Sequence, residues 1–244
     1  GAVHATDTTN ASRTQLMDLE TRRWDPALTA WFGVPVAALP DIHPSGHLFG
    51  ETIATGALPG GVPVAALIGD SHGALYGHAG FQPGAIKATY GTGTSLMMPM
   101  PEPTLSTRGL TTTVAWSNED AVTFALEGNI SVSGAAVTWL GSLLGLDAPG
   151  PQTEALAAEV EDTDGVYLVP AFVGLGAPHW ASGARGTLTG ITGGTGPAHL
   201  ARATLESIAY QIRDVFDAMQ AEAGTALEVL MAHGGASRID LLMQ

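Results

Sequence analysis

The chain contains no cysteine, which excludes disulfides, cysteine-ligated zinc and thiol nucleophiles together. Lysine is nearly absent as well. Lys87 is the only one, and arginine supplies the rest of the 9 basic residues, set against 23 acidic ones for a formal net charge of -14. A nucleic-acid partner needs a basic surface, so none is expected. No apolar run approaches the ~18 residues that cross a bilayer, and no signal-peptide pattern opens the sequence. The expectation is a cytoplasmic protein without a membrane partner. Charged residues make up 13% and aromatic residues 6%, while hydrophobic residues reach 45% of 244, the profile of a packed globular protein. Gly 32 and Pro 15 are high, so much of the chain is turns and tight loops. The shortage of lysine leaves a phosphorylated ligand open, because backbone N–H groups and a bound metal also neutralise phosphate.

Periodicity and punctuation predict an alternation of strands and helices. Thr21 to Phe32 reads as a short helix stopped by Gly33. Val62 to Ile68 is a nearly continuous apolar run and reads as a buried strand, with a helix opening after Gly73. Ile86 to Tyr90 and Ser95 to Met100 read as strands, and Thr111 to Trp116 with Ala121 to Leu126 as a hairpin. Ile130 to Leu144 reads as a buried helix and Gly165 to Phe172 as a strand. His199 to Ala223 carries Leu205, Ile208, Ala209, Ile212, Phe216 and Met219 at helical spacing, with Gly224 as its stop. Val229 to Ala232 reads as a strand, and a further helix begins beyond it. Trp139, Trp180 and the Phe residues are expected in the core. His72 and His78 lack metal-ligand spacing, so no metal ligand is assigned.

Three loops carry chemistry. Asp70 ends the first apolar run, and open α/β sheets place ligands at the carboxyl ends of strands. A carboxylate there can take a proton from a substrate hydroxyl; its bland reading is a helix N-cap. The same stretch, Gly69-Asp70-Ser71-His72-Gly73, also satisfies G-x-S-x-G. Ser71 is therefore a rival hydrolase nucleophile, with Asp164 or Asp214 and His233 as partners. Tyr90-Gly91-Thr92-Gly93-Thr94-Ser95 offers two glycines for close backbone approach and hydroxyls for phosphate oxygens; it reads equally as a hairpin turn. His233-Gly234-Gly235-Ala236-Ser237 can admit a base or ribose against bare backbone, or is an ordinary turn.

Longer segments carry a family resemblance. Thr6-Asp7-Thr8-Thr9-Asn10-Ala11-Ser12-Arg13-Thr14, Val169 to Trp180 (VPAFVGLGAPHW) and Gly186 to Gln211 resemble, in this order with the three loops, the glycerol-kinase-like FGGY carbohydrate kinases. The resemblance covers essentially the whole chain. It implies an α/β, actin-like ATPase (ribonuclease H-like) fold in two domains, residues 1–69 being the end of the N-terminal (substrate) domain and 70–244 most of the C-terminal (nucleotide-binding) domain. The first phosphate loop and a magnesium-associated Asp of the family have no match here. The chain is therefore expected to be an interior piece, inactive by itself; a non-catalytic nucleotide-binding fragment is the third reading.

The resemblance implies ATP-dependent phosphorylation of a small sugar or polyol hydroxyl, with ATP and Mg²⁺ as cofactors and a homodimer or homotetramer as the assembly. Asp70 matches the catalytic base. Gly91, Thr92 and Gly93 match the phosphate turn, Gly134 a nucleotide-contacting glycine, and Gly234 with Gly235 the turn beside adenine. Thr138 and Ile239 stand where glycerol kinases carry a nucleotide-contacting Gln and Asn. Ser71 and Ser95 stand where they carry a Gln and a Phe lining the glycerol pocket, which implies a different, larger acceptor. Gly61 replaces an arginine that some of them use to bind fructose bisphosphate, so that control is not expected.

Overall fold

The computed structural model describes residues 3–82, 84–224, 227 and 229–244. They fall into two compact units. The first is Gly1–Pro83 with Pro99–Leu105 and Thr112–Leu126; the second is Gly84–Met98, Ser106–Thr111 and Glu127–Gln244.

In the first unit, strand β1 (Ala5–Asp7) leads directly into helix α1 (Thr8–Ser12). Asp7 is the N-cap, its carboxylate accepting the Thr9 and Asn10 N–H groups, donors that the helix leaves unsatisfied at its head. Strands β2 (Met17–Asp18) and β3 (Arg23–Trp24) form a small antiparallel pair. Helix α2 (Pro26–Trp31) starts with proline at its first position and is capped by Asp25, both ordinary helix-start signals. Strand β4 (Asp41–His43) pairs parallel with β1. Strands β5 (Gly50–Glu51) and β6 (Pro63–Val64) pair antiparallel. Helix α3 (Asp70–Gly77) closes this stretch. A small core of Ala11, Met17, Val114 and Phe124 holds Trp24 and Ile42 against it.

The apolar run at 62–68 is not the buried strand that its pattern predicts. Only Pro63 and Val64 are extended, Pro63 donates no ladder hydrogen bond, and Val62, Val64 and Leu67 are exposed. Helix α3 likewise begins at Asp70 and not after Gly73, because Gly69 and not a polar side chain serves as its N-cap.

Four longer strands follow: β7 (Ala85–Tyr90), β8 (Thr94–Met100), β9 (Thr111–Ser117) and β10 (Val122–Ile130). Then come helices α4 (Gly134–Leu144) and α5 (Pro149–Ala157), strands β11 (Tyr167–Val169) and β12 (Thr187–Thr189), helix α6 (Pro197–Ala223), strand β13 (Val229–Gly234) and helix α7 (Asp240–Met243). The sheet order is β13-β7-β8-β10-β9. β13 runs parallel to β7 with Gly234 opposite Tyr90, and β7 turns back into β8. In the second unit, α6 packs on α4, α5 and β11. Its buried face is Leu205, Ile208, Ile212, Val215 and Met219. Ala209 proves exposed and Val215 takes its place. Gly224 stops the helix in the left-handed conformation, φ +62°.

Three further expectations change. The apolar stretch from Ile130 is strand end and turn before α4 begins at Gly134, because β10 runs to Ile130. Of residues 165–172 only Tyr167–Val169 is extended, paired with β12. Helix α5 was hidden by its Pro-Gly-Pro opening, although proline is well tolerated in a first helical turn. No helix of the described residues is long and apolar enough to cross a membrane.

Candidate active site

The three glycine-bearing turns of the second unit are brought together by direct backbone contacts. Gly91 donates its N–H to Gly93 O at 2.9 Å, closing the turn between β7 and β8. The head of α4 is then tied to that turn: Ser133 and Ala135 N–H donate to Thr92 O at 2.9 and 3.0 Å, and Gly134 N–H to Gly91 O at 3.1 Å. Thr94 Oγ1 donates to Ser133 Oγ at 2.8 Å. These approaches require glycine. A Cβ on Gly134 would sit 2.6 Å from Gly91 O, and one on Gly93 would overlap Ile130 O. At the end of β13, Gly234 has φ +108°, and a Cβ there would overlap the Tyr90 carbonyl.

The result is a cavity of about 630 Å³ lined by Tyr90, Gly91, Thr92, Gly134, Thr138 and Gly235, with Ala135, Trp139, Ser142 and Ala236 completing it. A second cavity of about 400 Å³ shares Gly134, Thr138 and Gly235 and adds Val137, Pro149, Pro151 and Ile239, with Glu154 and Arg238 at its polar edge. Six residues singled out from sequence therefore converge: Gly91, Thr92, Gly134, Thr138, Gly235 and Ile239. Gly93 and Gly234 stand behind the wall as close-packing positions. The glycine surface suits a group with many acceptor oxygens and a flat apolar end, such as a nucleotide.

Trp139 corrects the sequence reading. It is 36% exposed and faces the cavity instead of lying in the core, its ring 5.0 Å from that of Phe172. Trp180 is also exposed, its Nε1–H donating to Gly109 O at 2.6 Å. Phe32 and Phe81 are exposed too, whereas Phe124 is buried.

Two polar groups on the sheet went unnoticed in the sequence. Lys87, fully buried, donates from Nζ to Thr89 Oγ1 at 2.8 Å, and Thr89 Oγ1 lies 2.7 Å from His233 Nε2. The chain joins β7 to β13 two residues behind the Gly91 turn and at the threshold of Gly234. Ser95 Oγ donates to Glu127 Oε1 at 3.0 Å, and Glu127 is buried. A lone charge inside an apolar strand, Phe124-Ala125-Leu126-Glu127, was the signal available, since such a group is buried only with partners. Burial also pushes the Tyr90 phenol above its usual range.

In the first unit, Asp70 is the first residue of α3 and is exposed; its Oδ1 accepts the Ser71 N–H at 2.6 Å. It does not cap the helix, and no strand ends immediately before it. The backbone ahead of it is held from Asp7: Thr9 Oγ1 donates to Asp7 Oδ2 at 2.6 Å, and Gly69 N–H donates to Thr9 Oγ1 at 2.8 Å. His72 Nε2 lies 3.2 Å from Thr113 Oγ1. Ser71 lies within the first turn of α3 and lacks the strand that a nucleophile elbow needs. Asp214 Oδ2 meets His179 Nε2 at 3.1 Å, and Thr89 Oγ1 lies 2.7 Å from His233 Nε2. Among the described residues, no group of three or more His, Asp or Glu side chains converges on a metal position.

Residues 86–244 match the model of the FGGY family of carbohydrate kinases, C-terminal domain, and residues 1–77 the N-terminal domain of the same family. Glycerol kinases of Rhodopirellula baltica and Mycobacterium tuberculosis are each 49% identical, over 246 and 248 residues, covering 100% of this chain and 45% and 48% of those proteins. The chain thus spans about half the length of the curated relatives it matches. The structure of Plasmodium falciparum glycerol kinase with ADP superimposes with TM-score 0.86 at 37% identity, over 98% of this chain and 48% of that one. Xylulose kinase from Rhodospirillum rubrum gives TM-score 0.80 at 26% identity, over 99% and 50%. The fold is therefore the actin-like ATPase arrangement expected from the sequence.

Proposed function

Because the chain belongs to the FGGY family of carbohydrate kinases, we propose that the whole protein transfers the γ-phosphoryl group of ATP to a hydroxyl of a small sugar or polyol. The observation that carries this reading is the convergence of Gly91, Thr92, Gly134 and Gly235 on one cavity, with bare backbone where a phosphate chain and a base would lie. ATP fits this wall. Gly91 and Thr92 would face the phosphates, and Gly134, Thr138, Gly235 and Ile239 the nucleoside.

Asp70 is the general base. Its exposed carboxylate takes the proton of the acceptor hydroxyl as that oxygen bonds to the γ-phosphorus. The bond to the β–γ bridging oxygen breaks and ADP leaves. Mg²⁺ bound with the nucleotide would supply charge neutralisation on its phosphates; no residue of this chain is assigned to it. On the family resemblance, Ser71 and Ser95 are each assigned a contact with the acceptor. The division near residue 70 into an acceptor-side and a nucleotide-side domain is part of the same proposal.

The test is Asp70→Asn in the full-length protein. ATP affinity should stay within about twofold while kcat falls by about 10²–10⁴, the usual contribution of a general base. A variant with the parent kcat would remove Asp70 from this role.

A further inference from the structure

We infer that Lys87, Thr89 and His233 are positioning residues, whose hydrogen-bonded chain sets the span between the phosphate turn after β7 and the nucleoside wall after β13. The inference rests on the reading that this cavity takes the nucleotide, and it adds three residues that do not line it.

Both walls are rich in glycine. Beyond Tyr90 stand Gly91, Thr92 and Gly93, and beyond His233 stand Gly234 and Gly235. The strand ladder stops there too, its last pair being Gly234 with Tyr90. Glycine brings no side chain to hold such a turn and has the freest backbone. No neighbour stands within 4 Å of where a Gly235 Cβ would lie, so packing on that side does not fix it. The cross-strand side-chain link directly behind both turns is Thr89 with His233, which are partners in the ladder.

Donor and acceptor capacities give the chain a direction. The Lys87 ammonium only donates, so Thr89 Oγ1 accepts from it at 2.8 Å. The single hydroxyl proton of Thr89 then goes to His233 Nε2, 2.7 Å away, which places the imidazole proton on Nδ1. Lys87 has no exposed surface, and hydrogen bonds from ionised donors are the strong ones. Accepting such a bond polarises the hydroxyl and strengthens its donation to His233. The link is therefore stiffer than a lone threonine–histidine contact. The span it holds matters to a ligand that touches both walls. Such a ligand gains from the linkage of its two halves only when its length matches their separation. A reacting atom displaced by about 1 Å can lose about 10²-fold in rate.

The experiment uses Thr89→Val in the full-length protein, which keeps the branched shape and removes both hydrogen bonds. Calorimetry measures binding of ATP and of its two halves taken separately, adenosine and magnesium tripolyphosphate; steady-state kinetics gives kcat and the acceptor KM. ATP affinity should fall about tenfold as the span is lost, and kcat by about 10–10²-fold as the γ-phosphorus is misplaced. Adenosine, tripolyphosphate and the acceptor KM should stay within about twofold of the parent, since each half still meets its own wall. His233→Phe should behave as Thr89→Val does. Thr89→Ser keeps the hydroxyl, and His233→Gln offers an amide oxygen near the place of Nε2, so both should hold ATP within about threefold of the parent. Loss of adenosine and tripolyphosphate in step with ATP would show a merely structural role and overturn the inference. Parent ATP affinity and kcat in Thr89→Val and His233→Phe would overturn it as well. If the parent itself binds neither ATP nor its halves, the nucleotide reading falls and this inference with it, a result visible without any variant.

Discussion

A carboxylate with no exposed surface persists only where its oxygens are filled by donors, and Asp7 meets that condition. Its two oxygens accept from Thr9 N–H at 3.0 Å, Thr9 Oγ1 at 2.6 Å, Asn10 N–H at 3.1 Å, Asn10 Nδ2 at 2.6 Å and Ser45 Oγ at 2.8 Å. One residue thereby caps α1, holds the loop at Ser45 and, through Thr9, fixes Gly69 ahead of Asp70. Asp7→Ala strands these donors in a dry environment. It should cost about 3 kcal/mol or more in unfolding free energy, since hydrogen bonds to charged groups contribute about 1.5–3 kcal/mol each and do not add fully. Urea denaturation reads the loss directly. A change below about 1 kcal/mol would mean that water replaces the carboxylate and that the loop is held from elsewhere.

Among the elements, the parallel pair β7 and β13 carries the cavity. The two strands finish in register, so the turns after Tyr90 and Gly234 emerge side by side. The neighbouring glycines at that junction have different duties. Gly234 is left-handed and pressed on the Tyr90 backbone, whereas Gly235 has φ -64° and open space where a Cβ would stand. Gly234→Ala should lower stability by about 1–3 kcal/mol through backbone strain and weaken ATP binding with it. Gly235→Ala should leave the melting temperature unchanged and reduce ATP affinity alone, because its methyl would enter the cavity. Differential scanning calorimetry paired with titration calorimetry separates the two; equal thermal loss in both variants would refute this division.

Legibility in the sequence followed the same physics. Strands β7 and β8, helix α6 and the glycine turns announced themselves through short-range period and punctuation, which depend on neighbours a few residues away. Trp139 and the run at 62–68 did not, because whether an apolar side chain is covered depends on segments distant in sequence. The Lys87–Thr89–His233 and Ser95–Glu127 partnerships were hidden for a related reason. Each joins residues on different strands, and only the order of strands in the sheet shows that they meet.

At the scale of the whole molecule, the full-length protein should handle glycerol poorly beside longer polyols. The relatives at 49% identity are glycerol kinases, which makes glycerol the reference substrate. Ser71 and Ser95 stand where the glycerol-kinase resemblance places a Gln and a Phe. Losing an apolar ring at position 95 opens space, and the hydroxyl that replaces it is not idle. Ser95 spends its proton on the buried Glu127 carboxylate at 3.0 Å, which leaves its lone pairs to accept a hydrogen bond from an acceptor hydroxyl. A three-carbon substrate too short to reach that oxygen forgoes this hydrogen bond, which contributes about 0.5–1.5 kcal/mol. A chain of four or five hydroxylated carbons can fill both the space and the hydrogen bond. The measurement is kcat/KM for glycerol against four- and five-carbon polyols and ketoses, with Ser95→Phe as the reverse experiment. The parent should favour a longer acceptor by about tenfold, matching the hydrogen-bond cost, and Ser95→Phe should move the preference back toward glycerol. Glycerol ahead by tenfold in the parent, unaltered by Ser95→Phe, would show that Ser95 does not select the acceptor.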